Sequence, residues 1–118
     1  MPVLHRLIST AEWGEAKRIK AIFPSDLDVK SGFVHLSTPS QSSETVKRYF
    51  SPEVMPLILE IDVEQLGDAL KWEYVPSRGQ DMPHLYRDLR FSDVLGVRSV
   101  EFVNDGVSFG SLMLVDDA

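Results

Sequence analysis

The chain has 118 residues, 43% of them hydrophobic and 25% charged, which supports one real core and excludes a disordered chain on composition. It has no cysteine, so disulfides and thiolate metal sites are excluded. The net charge is −6 and the 12 basic residues are scattered, which argues against a nucleic-acid partner, because phosphate-backbone binding needs clustered Lys and Arg.

The densest basic group is Lys17, Arg18 and Lys20, and a small local basic pocket remains compatible with the composition. No apolar run approaches the roughly 20 residues of a membrane helix, and no signal segment follows Met1. The expectation is one cytoplasmic domain over residues 1–118 with no membrane partner.

In chain order, Val3 to Ile8 reads as a strand. Ser9 to Glu12 is a capping-box pattern and predicts a helix to about Ala21, with Trp13, Ala16 and Ile19 on one face. Pro24, Ser25 and Asp26 read as its end. Phe33 to Ser37 is strand-like. Thr38 to Gln41 is a second capping box, with Pro39 at the first helical position, and predicts a helix to Phe50 that buries Val46, Tyr49 and Phe50.

Met55 to Asp62 predicts a buried strand with Leu57, Leu59 and Ile61 on one face. Val63 to Leu70 predicts a helical turn, Lys71 to Val75 a strand, and Pro76 to Pro83 a polar loop. Ser92 is a candidate cap for a turn to Leu95. Val97 to Val103 and Val107 to Val115 predict strands joined by a hairpin turn at Asn104-Asp105-Gly106, with a frayed tail at Asp116-Asp117-Ala118. Early helices and late strands favour an α+β fold.

The segment Gly32 to Gln41 is the most informative. Strand alternation sends Val34 and Leu36 to one face and Phe33, His35 and Ser37 to the other. A helix beginning at Thr38 would add free backbone N–H groups, which favour phosphate. The plain alternative is that Thr38 only caps a helix and His35 is a hydrogen-bonded structural residue. His5 shares a strand face with Val3 and Leu7, the usual setting of a satisfied core histidine, although a neutral imidazole there could orient a ribose hydroxyl. His84 follows a polar loop and, with Tyr86 on the same side, could border a cleft. Glu73 lies opposite Trp72 and Tyr74 and is either a solvated carboxylate or an acid/base group. The spacing of the three histidines matches no local metal motif, but dispersed histidines can converge on zinc.

Trp13-x-x-Ala16, Gly32-Phe33-Val34-His35-Leu36-Ser37-Thr38 with Gln41, Trp72-Glu73 and Pro83-His84-Leu85-Tyr86 together resemble the domain of unknown function 952 family, over about Val3 to Val97. Lys20 and Arg87 depart from that pattern, standing where it commonly has glycine. The resemblance implies an ADP-ribosyltransferase-like fold with small split, antiparallel-rich sheets and two early helices. It has a distant echo of RNA 2′-phosphotransferases. It implies NAD or a related nucleotide as ligand, with His5, Ser37, Thr38, Gln41 and Tyr86 as binding residues. His35, Glu73 and His84 are then the candidate catalytic groups for cleaving the nicotinamide–ribose bond. Two other expectations stay open, a non-catalytic metabolite-binding module and a metal hydrolase built on the histidines, because one fold hosts many functions.

Overall fold

A computed structural model describes residues 2–104 and 106–115. The first strand, β1 (Val3–Ser9), passes straight into α1 (Thr10–Ile19). The capping box forms as the sequence predicts: the Glu12 backbone N–H donates to Ser9 Oγ at 3.1 Å, and the Ser9 N–H donates back to Glu12 Oε1 at 3.2 Å. The helix stops at Ile19, short of Ala21, because Lys20 takes the left-handed conformation (φ 59°) of a helix C-cap. A lysine therefore holds the shape that glycine would supply more cheaply. Its ammonium lies 5.1 Å from the centre of the Phe91 ring, a cation–π contact. Trp13, 2% exposed, stacks on the other partner of this corner, with its ring 5.5 Å from Phe91.

The Pro24-Ser25-Asp26 punctuation starts a helix as well as ending one. Ser25 caps α2 (Asp26–Ser31) through a second reciprocal box with Asp28. Gly32 closes α2 with φ 83°, and the chain enters β2 (Val34–His35). The Thr38–Gln41 box also forms, but it closes a turn. Helix α3 (Ser42–Tyr49) begins only after Gln41. Val46 is fully buried under it, whereas Tyr49 is 58% exposed, against the sequence expectation.

Next comes β3 (Pro56–Asp62). Met55 lies outside the strand in a left-handed turn (φ 50°). Two 3-10 turns, Val63–Gln65 and Gly67–Ala69, lead to β4 (Leu70–Val75). The predicted polar loop at Pro76–Pro83 is absent. A tight turn with Gly79 at φ 67° leads at once into β5 (Gln80–Leu85), so β4 and β5 are a hairpin. The apolar run that would have announced β5 is interrupted by Pro83, yet the strand carries it. Leu36 N–H donates to the Pro83 carbonyl, a bond that needs no proline N–H.

A 3-10 turn at Phe91–Asp93 precedes β6 (Val94–Val103), so Ser92 sits inside the turn and Arg90 is its cap. The last predicted strand is two, β7 (Gly106–Phe109) and β8 (Met113–Leu114), both paired with β6. Val103 pairs with Gly106 across the predicted hairpin. Asp105 and the Asp116-Asp117-Ala118 tail lie outside the described residues.

The fold is α+β. Among the described residues, two antiparallel sheets carry three helices, with order β1-β3-β6-β7 in the larger and β2-β5-β4 in the smaller. The centre is β3, buried on both faces. Leu59 and Ile61 join Leu4, Ile8, Trp13 and Val97 on one side, and Ile58 packs with Leu7 and Val46 beneath α3 on the other. The sheets meet along the free edge of β1, where the His5 N–H donates to the Ser37 carbonyl at 2.7 Å and the Ser37 N–H donates back at 2.9 Å. Among the described residues, no helix is long and apolar enough to cross a membrane.

Candidate functional site

A cavity of about 430 Å³ opens at this seam, within the range of small-ligand sites. Its lining includes His5, His35 and His84, together with Ser37, Thr45 and Arg78. Phe23, Leu27 and Tyr49 are also part of the lining and are 69%, 42% and 58% exposed, so a ligand would meet apolar side chains at its mouth.

The expected strand alternation holds. Val34 and Leu36 enter the core, while Phe33, His35 and Ser37 line the cavity. His35 on β2 pairs directly with His84 on β5, and the ring centres are 5.8 Å apart. Phe33 packs on both, 3.9 Å from His84 in a stack and 4.6 Å from His35.

Each of these imidazoles is held by a carboxylate on Nδ1. His35 Nδ1 is 2.7 Å from Asp28 Oδ1, and the His35 backbone N–H donates to the same oxygen at 3.0 Å. Asp28 in turn receives Arg6 Nη2 at 2.7 Å and Arg6 Nη1 at 3.2 Å. Burial pushes the Asp28 carboxyl up, but the His35 hydrogen bond, the Arg6 charge and the Ser25 backbone together hold it well below the usual carboxylate range. Asp28 is therefore a fixed anion at 3% exposure. His84 Nδ1 is 2.8 Å from Glu73 Oε1, and the Tyr86 hydroxyl donates to that oxygen at 2.5 Å. The Tyr86 hydroxyl, then His84, lower the Glu73 carboxyl, and Glu73 raises the Tyr86 phenol. A carboxylate on Nδ1 fixes the tautomer and ring orientation and leaves Nε2 for chemistry. Among the described residues, neither Nε2 has a hydrogen-bond partner, and neither is a buried orphan.

His5 is different. Ser42 Oγ donates to the Thr38 carbonyl at 2.9 Å and so accepts from His5 Nδ1, 2.8 Å away. Its Nε2 lies 3.6 Å from Glu60, which is itself paired with Arg98, and Phe109 meets the ring edge-on at 6.5 Å. Burial lowers its pKa, outweighing the pull of Glu60. At 3% exposure His5 shapes the cavity wall, and its ring is committed to the protein. It lines the cavity, where the sequence expects it to orient a ribose. Among the described residues no group of three or more His, Asp or Glu is placed to hold a metal ion.

Of the other sequence candidates, Ser37 lines the cavity and its Oγ lies 2.8 Å from Thr45 Oγ1. Thr38, Gln41, Tyr86 and Glu73 lie outside the lining. Thr38 and Gln41 tie the turn before α3, and Gln41 Nε2 also donates to the Asp81 carbonyl at 2.9 Å. Glu73 reaches the cavity through His84, and Tyr86 packs against Phe33 of the lining with ring centres 5.4 Å apart.

Three contributors were missed: Asp28, Arg6 and Arg78. Arg78 sits in the tight β4–β5 turn. Its Nη2 donates to Thr45 Oγ1 at 3.0 Å and its Nε to Glu44 at 3.3 Å. The Ser25-x-x-Asp28 box was a legible signal for Asp28, because it marks a helix start. No local pattern marks Arg78.

The family described as "Protein of unknown function (DUF952)" matches residues 7–97. The X-ray crystal structure of Protein CC0527 from Caulobacter crescentus is 34% identical, with a TM-score of 0.78 over 98% of this chain and 96% of that one. The solution NMR structure of CC0527 is 36% identical, with a TM-score of 0.76 over 91% of each chain. No curated protein matches the sequence.

Proposed function

The chain belongs to the DUF952 family of proteins of unknown function, and we propose that it binds NAD or a related nucleotide in the cavity between its sheets. The observation that carries this reading is the gathering of arginine and imidazole side chains at one cavity, which also holds the Glu12 and Asp28 carboxylates. Arg78 and two imidazoles with unengaged Nε2 atoms face one cavity, beside paired hydroxyls and behind an apolar mouth. Phosphate suits the Arg78 wall, since a guanidinium supplies directional donors. A base or nicotinamide ring suits Phe23, Leu27, Phe33 and Tyr49.

The resemblance to an ADP-ribosyltransferase-like fold supports NAD as the first ligand to try. Cleavage of its nicotinamide–ribose bond passes through an oxocarbenium-like cation that a carboxylate stabilises. Of the carboxylates here, Asp28 and Glu12 border the cavity, and Glu73 would act only through His84. Binding is therefore the centre of the proposal, and a binding module without turnover is contained in it.

Calorimetric titration of NAD, nicotinamide mononucleotide and AMP into the wild-type chain tests the reading, with His35→Ala and Arg78→Ala beside it. Saturable binding that weakens at least about tenfold in each variant is expected, a change of about 1.4 kcal/mol. Absence of binding by all three ligands, or affinities unchanged in both variants, removes the proposal. Release of nicotinamide over long incubation decides the cleavage step separately.

A further inference from the structure

We infer that His35 and His84 form a general acid–base pair that hydrolyses a strained cyclic phosphodiester, a nucleoside 2′,3′-cyclic phosphate, to its open monoester. This rests on the nucleotide reading of the same cavity and names the chemistry the cavity would perform.

The two imidazoles are cross-strand neighbours on one sheet face, with ring centres 5.8 Å apart. Adjacent antiparallel strands fix that spacing, so it does not depend on a loop. Each ring is anchored through Nδ1, to Asp28 at 2.7 Å and to Glu73 at 2.8 Å. Each is packed against Phe33 as well, which limits its rotation. Two anchored rings with unpartnered Nε2 atoms in one cavity are suited to moving two protons in one reaction. A structural histidine in this chain looks different: His5 has Ser42 on Nδ1 and the Glu60 carboxylate 3.6 Å from Nε2.

The rest of the lining narrows the substrate. The hydroxyls of Ser37 and Thr45 bind each other, and Thr45 also receives Arg78, so neither is activated as a nucleophile by a base. Water is then the attacking group. A ribose oxygen is a poor leaving group without a proton, which gives the second imidazole its task. A five-membered cyclic phosphate carries ring strain that lowers its barrier, and it bears one negative charge, which Arg78 can meet. With an apolar mouth for the base, a cavity of about 430 Å³ suits one nucleotide.

The step balances as follows. One imidazole, neutral, takes a proton from water as the water oxygen bonds to phosphorus. The other, protonated, gives its proton to the ribose 2′-oxygen as the P–O2′ bond breaks. The product is the nucleoside 3′-phosphate, and exchange with solvent restores both rings. Asp28 and Glu73 are positioning residues in this scheme, because they act through the rings.

Incubation of the full chain with 2′,3′-cyclic AMP, followed by phosphorus NMR, tests the inference. Conversion to the 3′-monophosphate is expected, with a rate that falls on both the acid and the alkaline side. His35→Ala and His84→Ala, purified identically, should each lose on the order of 100-fold or more in kcat. Glu73→Gln should lose less, and one limb of its pH–rate profile should move, a change that a purely structural role would not cause. Binding of 3′-AMP by calorimetry without any turnover of the cyclic ester overturns the inference and leaves the nucleotide reading standing. Turnover that survives in both histidine variants also overturns it. Failure of every nucleotide to bind removes both readings.

Discussion

The two sheets place their histidines in opposite circumstances. In the larger sheet His5 is buried beneath α3, with a hydroxyl at Nδ1 and a carboxylate near Nε2. In the smaller sheet His35 and His84 sit over a cavity, each with one nitrogen held and the other unpartnered among the described residues. The side-chain chemistry is the same in all three. What separates them is the surroundings of Nε2, the Glu60 carboxylate 3.6 Å away at His5 and no hydrogen-bond partner among the described residues at His35 and His84. The larger sheet can seal its histidine because α3 and β7 cover that face. The smaller sheet has only β2, β5 and β4, and leaves Trp72 and Tyr74 in solvent at 51% and 63% exposure.

The largest effect should come from removing the anion that ties the two regions. Asp28→Ala leaves Arg6, 9% exposed, without its counter-charge and removes the reciprocal half of the α2 capping box. A loss of about 3–5 kcal/mol in urea unfolding is expected, as for a broken buried pair. A loss below about 1 kcal/mol would mean that the pair matters only to His35.

The next effect sharpens the contrast between sealed and open rings. Burial lowers the His5 pKa from its ordinary 6.5, so the unfolded chain takes up the proton first. Stability from a neutral His5 is then fully present above that value and declines as pH falls below it. The melting temperature should drop between pH 7 and pH 5, and His5→Asn, which keeps a donor for Ser42, should flatten that slope. An equal slope in the variant would show that another group titrates.

The smallest effect is expected at Glu73. The side chain is 44% exposed, and Glu73→Gln should leave the melting temperature unchanged while altering whatever His84 does in the cavity. A clear fall in melting temperature would make Glu73–His84 a structural pair and weaken the contrast between the sheets.

Much of the fold was legible in the residues. The boxes at Ser9–Glu12 and Thr38–Gln41 form as hydrogen-bonded pairs, and the alternation through Phe33 to Ser37 sends each side chain to its expected face. The errors share a cause. Pro83 was read as a loop residue because local rules penalise proline in strands, yet its carbonyl accepts from Leu36 and its ring is buried. Tyr49, expected in the core with Val46, is 58% exposed. Asp28 was overlooked because a lone Asp in a short polar stretch looks solvated until Arg6 and His35 arrive from other strands.

By itself the sequence determined the capped start of α1, the strand faces and the residue types available for a site, because those depend on neighbours within about four positions along the chain. The tertiary structure alone decided which histidine is sealed and which pair faces a cavity, since Ser42 is 37 residues from His5 and Arg78 is 33 from Thr45. Such contacts arise when sheet edges meet, and the packing of β1 against the chain after β2 sets that meeting.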